Sequence, residues 1–158
     1  AEKLSIVTKT PKAEAKEFIE RYFEKYNTIH SLQERFLEKA RKEGFSETLF
    51  GRRRYLPDIN SKGLLKRMAE GAAINTPIQG SAAEIIKLAM VNVGNQLREK
   101  KLQSRMILTV HDELVFDAFK EEVDELCKIV KHAMENVVCL EVPLLVEIGK
   151  GQNWLDAH

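Results

Sequence analysis

In the stretch TVHDELVFD, Thr109 to Asp117, a histidine and two adjacent acids, His111, Asp112 and Glu113, sit between two runs of strand-forming residues. A hairpin turns most cheaply through Asn-Gly or Asp-Gly, so three ionisable side chains at the tip demand a chemical reason. In regular strand, successive side chains leave opposite faces. Asp112 and Glu113 therefore cannot confront one another across a bond as glycosidase carboxyls do, at about 5 to 9.5 Å. One carboxylate at a tip can instead hold a hard divalent cation when another acid arrives from elsewhere. The plainer reading is a hydrated polar turn. His111 on its own is a structural histidine, a metal ligand or a hydrogen-bond donor to a bound molecule. No second histidine stands at ligand spacing, so no tetrahedral zinc motif is present.

A second cluster is basic. Arg52, Arg53 and Arg54, with Lys62, Lys66 and Arg67 close behind, form either a phosphate-tracking patch or a solvated loop. Asn75 and Gln79 carry amides that both donate to and accept from base edges. Gln79 is equally explained as the third residue after Thr76 in a capping box. Charge is divided along the chain: residues 1–105 carry 21 Lys/Arg against 13 Asp/Glu, a surplus of 8 positive charges, whereas residues 106–158 carry 4 against 11, a surplus of 7 negative ones. The first part suits a polyanion and the second suits cations.

These residues need elements to position them. Thr10-Pro11 reads as an N-cap and first helical proline, followed by Ala15, Phe18, Ile19, Tyr22, Phe23 and Tyr26 at helical spacing. Ile29, Leu32, Phe36 and Ala40 continue in a second helix that should stop at a left-handed Gly44. Thr48 to Leu56 reads as short extended arms around a basic turn, and a helix is expected from Lys62 to about Ile74. Two overlapping capping boxes, Thr76 with Gln79 and Ser81 with Glu84, predict a fresh helix start, with a stripe of Ile78, Ala82, Ile85, Ala89 and Val93. RMILTV and LVFDA flank the tip as strands, Met106, Leu108 and Val110 sharing one face. A helix through Val123, Leu126, Val130 and Ala133 follows, and VPLLVEIG is expected to close as a strand. The predicted class is α+β: helices first, then a small antiparallel sheet whose His-Asp-Glu hairpin packs on helices.

At 158 residues, 44% apolar and 31% charged, the chain suits one or two small lobes. No window approaches a membrane span and no leader opens it, so a cytoplasmic location without membrane contact is expected. Cys127 and Cys139 lack CxxC spacing and read as buried reduced thiols.

Taken together, ETLFGRRRYLPDINS, AINTPIQGSAAEIIKLAM, VHDELVF and VPLLVEIGKGQNW resemble the C-terminal part of the bacterial family A DNA polymerases, collinearly from about Pro11 to His158. The resemblance implies residues 1–78 as part of the fingers and 79–158 as the C-terminal palm carrying motif C. It implies that Asp112 ligates magnesium beside the primer terminus and that Glu113 supports that catalytic site. It further implies that His111 lies near the primer-terminal nucleotide and that Asn75 and Gln79 touch the minor groove of the primer-template. The two-metal site would be completed by an aspartate upstream of this chain, and dNTP, primer-template DNA and the remaining polymerase would be its partners. Such a fragment is expected to be inactive alone and to self-associate through uncovered apolar surface. Gly71 stands where the family usually has arginine, so one DNA contact that the resemblance implies is either missing or supplied by another residue. Two other readings compete: a stand-alone, non-catalytic DNA-binding module, and an unrelated single-site metal hydrolase.

Overall fold

Helices α1 (Glu2–Thr8), α2 (Lys12–Lys25) and α3 (Asn27–Glu43) open the chain in a computed structural model that describes residues 2–157. The predicted Thr10 cap is not made. Left-handed Lys9, at φ 55, closes α1, and Thr10 is used in that closure: its N–H donates to the Ser5 carbonyl at 3.2 Å and its own carbonyl accepts from the Ser5 hydroxyl at 2.6 Å. Gly44 does end α3, at φ 77, its N–H reaching the Ala40 carbonyl at 2.8 Å; glycine takes this conformation without a Cβ penalty.

Two short strands follow, β1 (Phe45–Glu47) and β2 (Arg53–Tyr55), antiparallel with Glu47 opposite Arg53. The turn is made by Thr48 to Arg52, so Arg53 and Arg54 lie in a strand rather than in the predicted basic turn. Thr48 explains the difference, because its N–H and hydroxyl bind the Arg52 carbonyl and N–H at 3.0 and 3.1 Å and close the loop early. Helix α4 (Gly63–Asn75) packs on α3 through Ala40, Ala69 and Ala73, with Leu56 and Ile59 filling the remainder. The buried Ser46 hydroxyl donates to the Ala73 carbonyl at 2.9 Å, which keeps that hydroxyl satisfied away from water.

The chain divides into two units, the first ending at Ile78 and the second beginning at Gln79. Between α4 and α5 (Ser81–Glu99) the backbone forms a π-helical turn, Thr76–Gly80, so neither Thr76 nor Ser81 stands at the non-helical position that the predicted capping boxes require. The Thr76 hydroxyl is instead spent on the Ala72 carbonyl, 2.7 Å away, inside the helical run. Pro77 has no N–H for an α ladder, and a local π turn is one way helices absorb such a position.

In the second unit, β3 (Arg105–Val110) and β4 (Glu113–Asp117) form an antiparallel hairpin, followed by a 3-10 turn (Lys120–Glu122), α6 (Val123–Glu135) and α7 (Trp154–Ala157). Met106 pairs with Phe116 but Leu108 pairs with Val115, so a bulge at Ile107 intervenes. The extra residue flips the alternation. Met106 therefore faces away from Leu108 and Val110, contrary to the expected common face. Met106 and Phe116 cover a core of Val93 and Leu97 from α5 with Leu126, Val130 and Ala133 from α6. The predicted stripe on α5 is realised only in its later part, since Ala89 and Val93 are buried while Ile78 and Ala82 are exposed.

Residues 142–149, VPLLVEIG, do not form the expected closing strand. β3 and β4 pair only with each other among the described residues, so this apolar run has no ladder partner; the Val146 N–H donates to the Glu135 carboxylate instead, at 3.0 Å. Cys127 is half-buried, but Cys139 is exposed in the segment after α6, correcting the expectation of two buried thiols. Among the described residues no helix is long and apolar enough to cross a membrane.

Candidate functional site

Val110 pairs with Glu113, so the hairpin closes over two residues, His111 and Asp112. Two-residue hairpin turns need a positive φ at their first central position, where the right-handed strand twist is matched and glycine usually sits. His111 occupies that place at φ 52. A left-handed backbone costs a residue with a Cβ about 1–2 kcal/mol, and retained strain of this kind gathers at functional sites. We expect His111→Gly to raise the stability of this chain by about 1 kcal/mol in equilibrium urea unfolding; an unchanged midpoint would mean that the turn carries no such strain.

His111 and Asp112 are exposed and Glu113 is half-buried. The tip thus presents one exposed carboxylate from a two-residue turn. Among the described residues no group of three or more His, Cys, Asp or Glu side chains could hold a metal ion. The donors present therefore do not make a complete ligand set, though Asp112 is suited in charge and exposure to be one ligand of a hard cation.

The basic residues differ from one another. The Arg53 Nε donates to the Glu47 carboxylate at 2.9 Å and its guanidinium stacks on Phe45, 4.4 Å from the ring centre. The hydrogen bond to Glu47, foremost, holds its pKa above the ordinary guanidinium value. Arg54 is exposed on the opposite face of β2. Asn75, at the end of α4, and Gln79, in the π turn, are both exposed. Arg52, Arg53, Arg54 and Asn75 belong to the first unit; Gln79 and the tip belong to the second. Gly71 lies inside α4 with nothing within 4 Å of the place where a Cβ would stand.

Two residues without an assignable role in the sequence stand at the root of the hairpin. The Glu122 carboxylate accepts the Gln103 N–H at 2.9 and 3.0 Å, the Ser104 N–H at 2.9 Å and the Ser104 hydroxyl at 2.7 Å. Ser104, buried, in turn accepts the Phe119 N–H at 3.0 Å. The Gln103 N–H, followed by the Ser104 hydroxyl, holds the Glu122 carboxyl below its ordinary range.

The family model of DNA polymerase family A matches residues 1–156. DNA polymerase I of Geobacillus stearothermophilus is 47% identical over 158 residues, covering 99% of this chain and 18% of the relative. The thermostable DNA polymerase I of Thermus thermophilus is 46% identical, covering 99% and 19%. The chain thus spans under a fifth of the length of these relatives. Among solved structures, the POL domain of Pol1 from M. smegmatis, in complex with DNA primer-template and dNTP, superposes with a TM-score of 0.93 at 42% identity, over 98% of this chain and 27% of that one. With the family model spanning almost every residue and the backbone superposing this closely, the chain belongs to DNA polymerase family A.

Proposed function

We propose that this chain is the part of a DNA-directed DNA polymerase that presents Asp112 to the primer terminus during nucleotidyl transfer from a dNTP. The observation that carries the reading is the exposed carboxylate on a left-handed two-residue turn, in a chain whose solved relative was captured with primer-template and dNTP. Residues 1–78 act as part of the fingers and 79–158 as the C-terminal palm. Asp112 is one ligand for magnesium, Glu113 supports the same site, and His111 lies against the primer-terminal nucleotide. Magnesium keeps several waters and takes one or two carboxylates plus phosphate oxygens. A pair of such ions, clamping the attacking and leaving oxygens, calls for a further carboxylate from the remaining polymerase, so the 158 residues alone should not incorporate nucleotides. Cytoplasmic action on primed DNA fits the same reading.

Asn75 and Gln79 suit the minor groove, where correct pairs present nearly the same acceptors, so amides can check pair geometry without reading sequence. Single-nucleotide incorporation on a primed template by the complete polymerase tests the reading, with loss expected on Asp112→Asn. Full activity in that variant would overturn it.

The arginines divide by availability. Arg53 is held by Glu47 and Phe45, whereas Arg54 projects from an exposed position, so Arg54 is the better phosphate contact. In the complete polymerase, Arg54→Ala should weaken primer-template binding and flatten the dependence of log K on log salt by about 0.9, while Arg53→Ala should leave that slope unchanged. Equal slopes in both variants would contradict the division.

A further inference from the structure

We propose that Glu122, acting through Ser104, is a positioning residue that sets where the Asp112 carboxylate stands. This assignment rests on the polymerase reading of Asp112.

The hairpin is fastened at its root to the core of the second unit. Met106 and Phe116, near the root, pack on the α5–α6 core. Beyond the Ile107 bulge, Leu108, Thr109, His111 and Asp112 are exposed, while Val110, Glu113, Leu114 and Val115 are half-buried. Hydrogen bonds at the root add to that packing in setting the direction of the hairpin.

Glu122 and Ser104 are placed for that task. Ser104 immediately precedes β3, and Phe119 follows β4 by two residues; the Phe119 N–H donating to the Ser104 hydroxyl ties the two strand ends together. Glu122 immediately precedes α6, and its carboxylate gathers two consecutive backbone amides, of Gln103 and Ser104, together with the Ser104 hydroxyl. The root of the hairpin is thus tied to the start of the helix whose Leu126 and Val130 form the core beneath it. Charge-assisted hydrogen bonds to a carboxylate are shorter and about twice as strong as neutral ones, and several converging on one group define a direction as well as an attachment.

Length amplifies any looseness at the root. Six strand residues at roughly 3.3 Å each put the tip about 20 Å from the root, so a tilt of about 3° moves Asp112 by roughly 1 Å, a displacement that can cost about 10²-fold in rate. Glutamine at position 122 would keep the size of the side chain but turn an amide NH2 toward donors. With the amide oxygen in the place of Oε2, the second contact from the Gln103 N–H would be lost and the bonds from Ser104 would lose their charge assistance.

The test uses the complete polymerase carrying Glu122→Gln and, separately, Ser104→Ala. Single-nucleotide incorporation is measured at a temperature where both variants are fully folded. A displaced Asp112 predicts that kcat falls roughly 10-fold or more while KM for dNTP and primer-template affinity stay within about twofold. Amide exchange at Thr109 to Leu114 should quicken relative to α6. Wild-type kcat in both folded variants would overturn the positioning role, as would a parallel loss of kcat and DNA affinity. Asp112→Asn, measured alongside, separates the two levels: if it retains activity, the polymerase reading fails; if it is inactive while both root variants keep wild-type kcat, only the positioning role fails.

Discussion

Replacing Asp112 with asparagine in the complete polymerase is expected to lower single-nucleotide incorporation by about 10³-fold, with primer-template affinity little changed. Asparagine preserves the shape of the side chain and one acceptor oxygen but removes the charge. A divalent ion at such a site supplies several kcal/mol of stabilisation to charge developing on phosphoryl oxygens, and every 1.36 kcal/mol lost is a factor of ten in rate. The variant should fold normally, because Asp112 is exposed and buries nothing. It leaves His111 to hold the left-handed turn. Glu113→Gln should have the smaller effect, since Glu113 begins β4 and is half-buried rather than exposed. Pre-steady-state incorporation separates chemistry from binding. Asp112→Asn within tenfold of wild type would remove Asp112 from the reaction.

The parts of the fold legible in the sequence are those governed by local chemistry. Gly44 stops α3 because a left-handed residue without a Cβ is required there. The apolar positions of α6 recur at helical spacing, and Leu126, Val130 and Ala133 are indeed inside. The hairpin around the tip is legible because two strand-forming runs flank a short polar turn. Features set by distant partners are not. Thr10 and Thr76 have the right residue type for caps, yet the Thr10 hydroxyl pairs with the Thr8 hydroxyl at 2.7 Å and the Thr76 hydroxyl with the Ala72 carbonyl one helical turn back. The Ile107 bulge leaves no compositional mark, since any apolar residue fits it, and it reverses the faces of the strand beyond it. VPLLVEIG has the composition of a strand, but a strand exists only by pairing, and no described residue offers a ladder to it. Glu122 is hidden for a similar reason, its donors lying 18 and 19 residues earlier.

The same separation between local and distant determinants leads to a prediction about stability. Leu126, 4% exposed, sits in the core of the second unit against residues of both α5 and α6, with Met106 and Phe116 of the hairpin lying on that core. Leu126→Ala should cost about 2–4 kcal/mol, the transfer term for the lost side-chain carbons plus the cavity they leave. For a unit of about 80 residues this corresponds to a fall in Tm of roughly 10–20 °C. Leu155, 87% exposed, provides the contrast: in the 158-residue chain Leu155→Ala should change stability by no more than about 0.5 kcal/mol. The two leucines differ in surroundings and not in composition, so the comparison isolates packing. Because the hairpin root lies on the same core, Leu126→Ala should also quicken amide exchange at Met106 and Phe116 before the global transition is reached. Equal stability losses for the two substitutions would place the core of this unit elsewhere. The support beneath Asp112 would then have to come from the Glu122 and Ser104 hydrogen bonds alone.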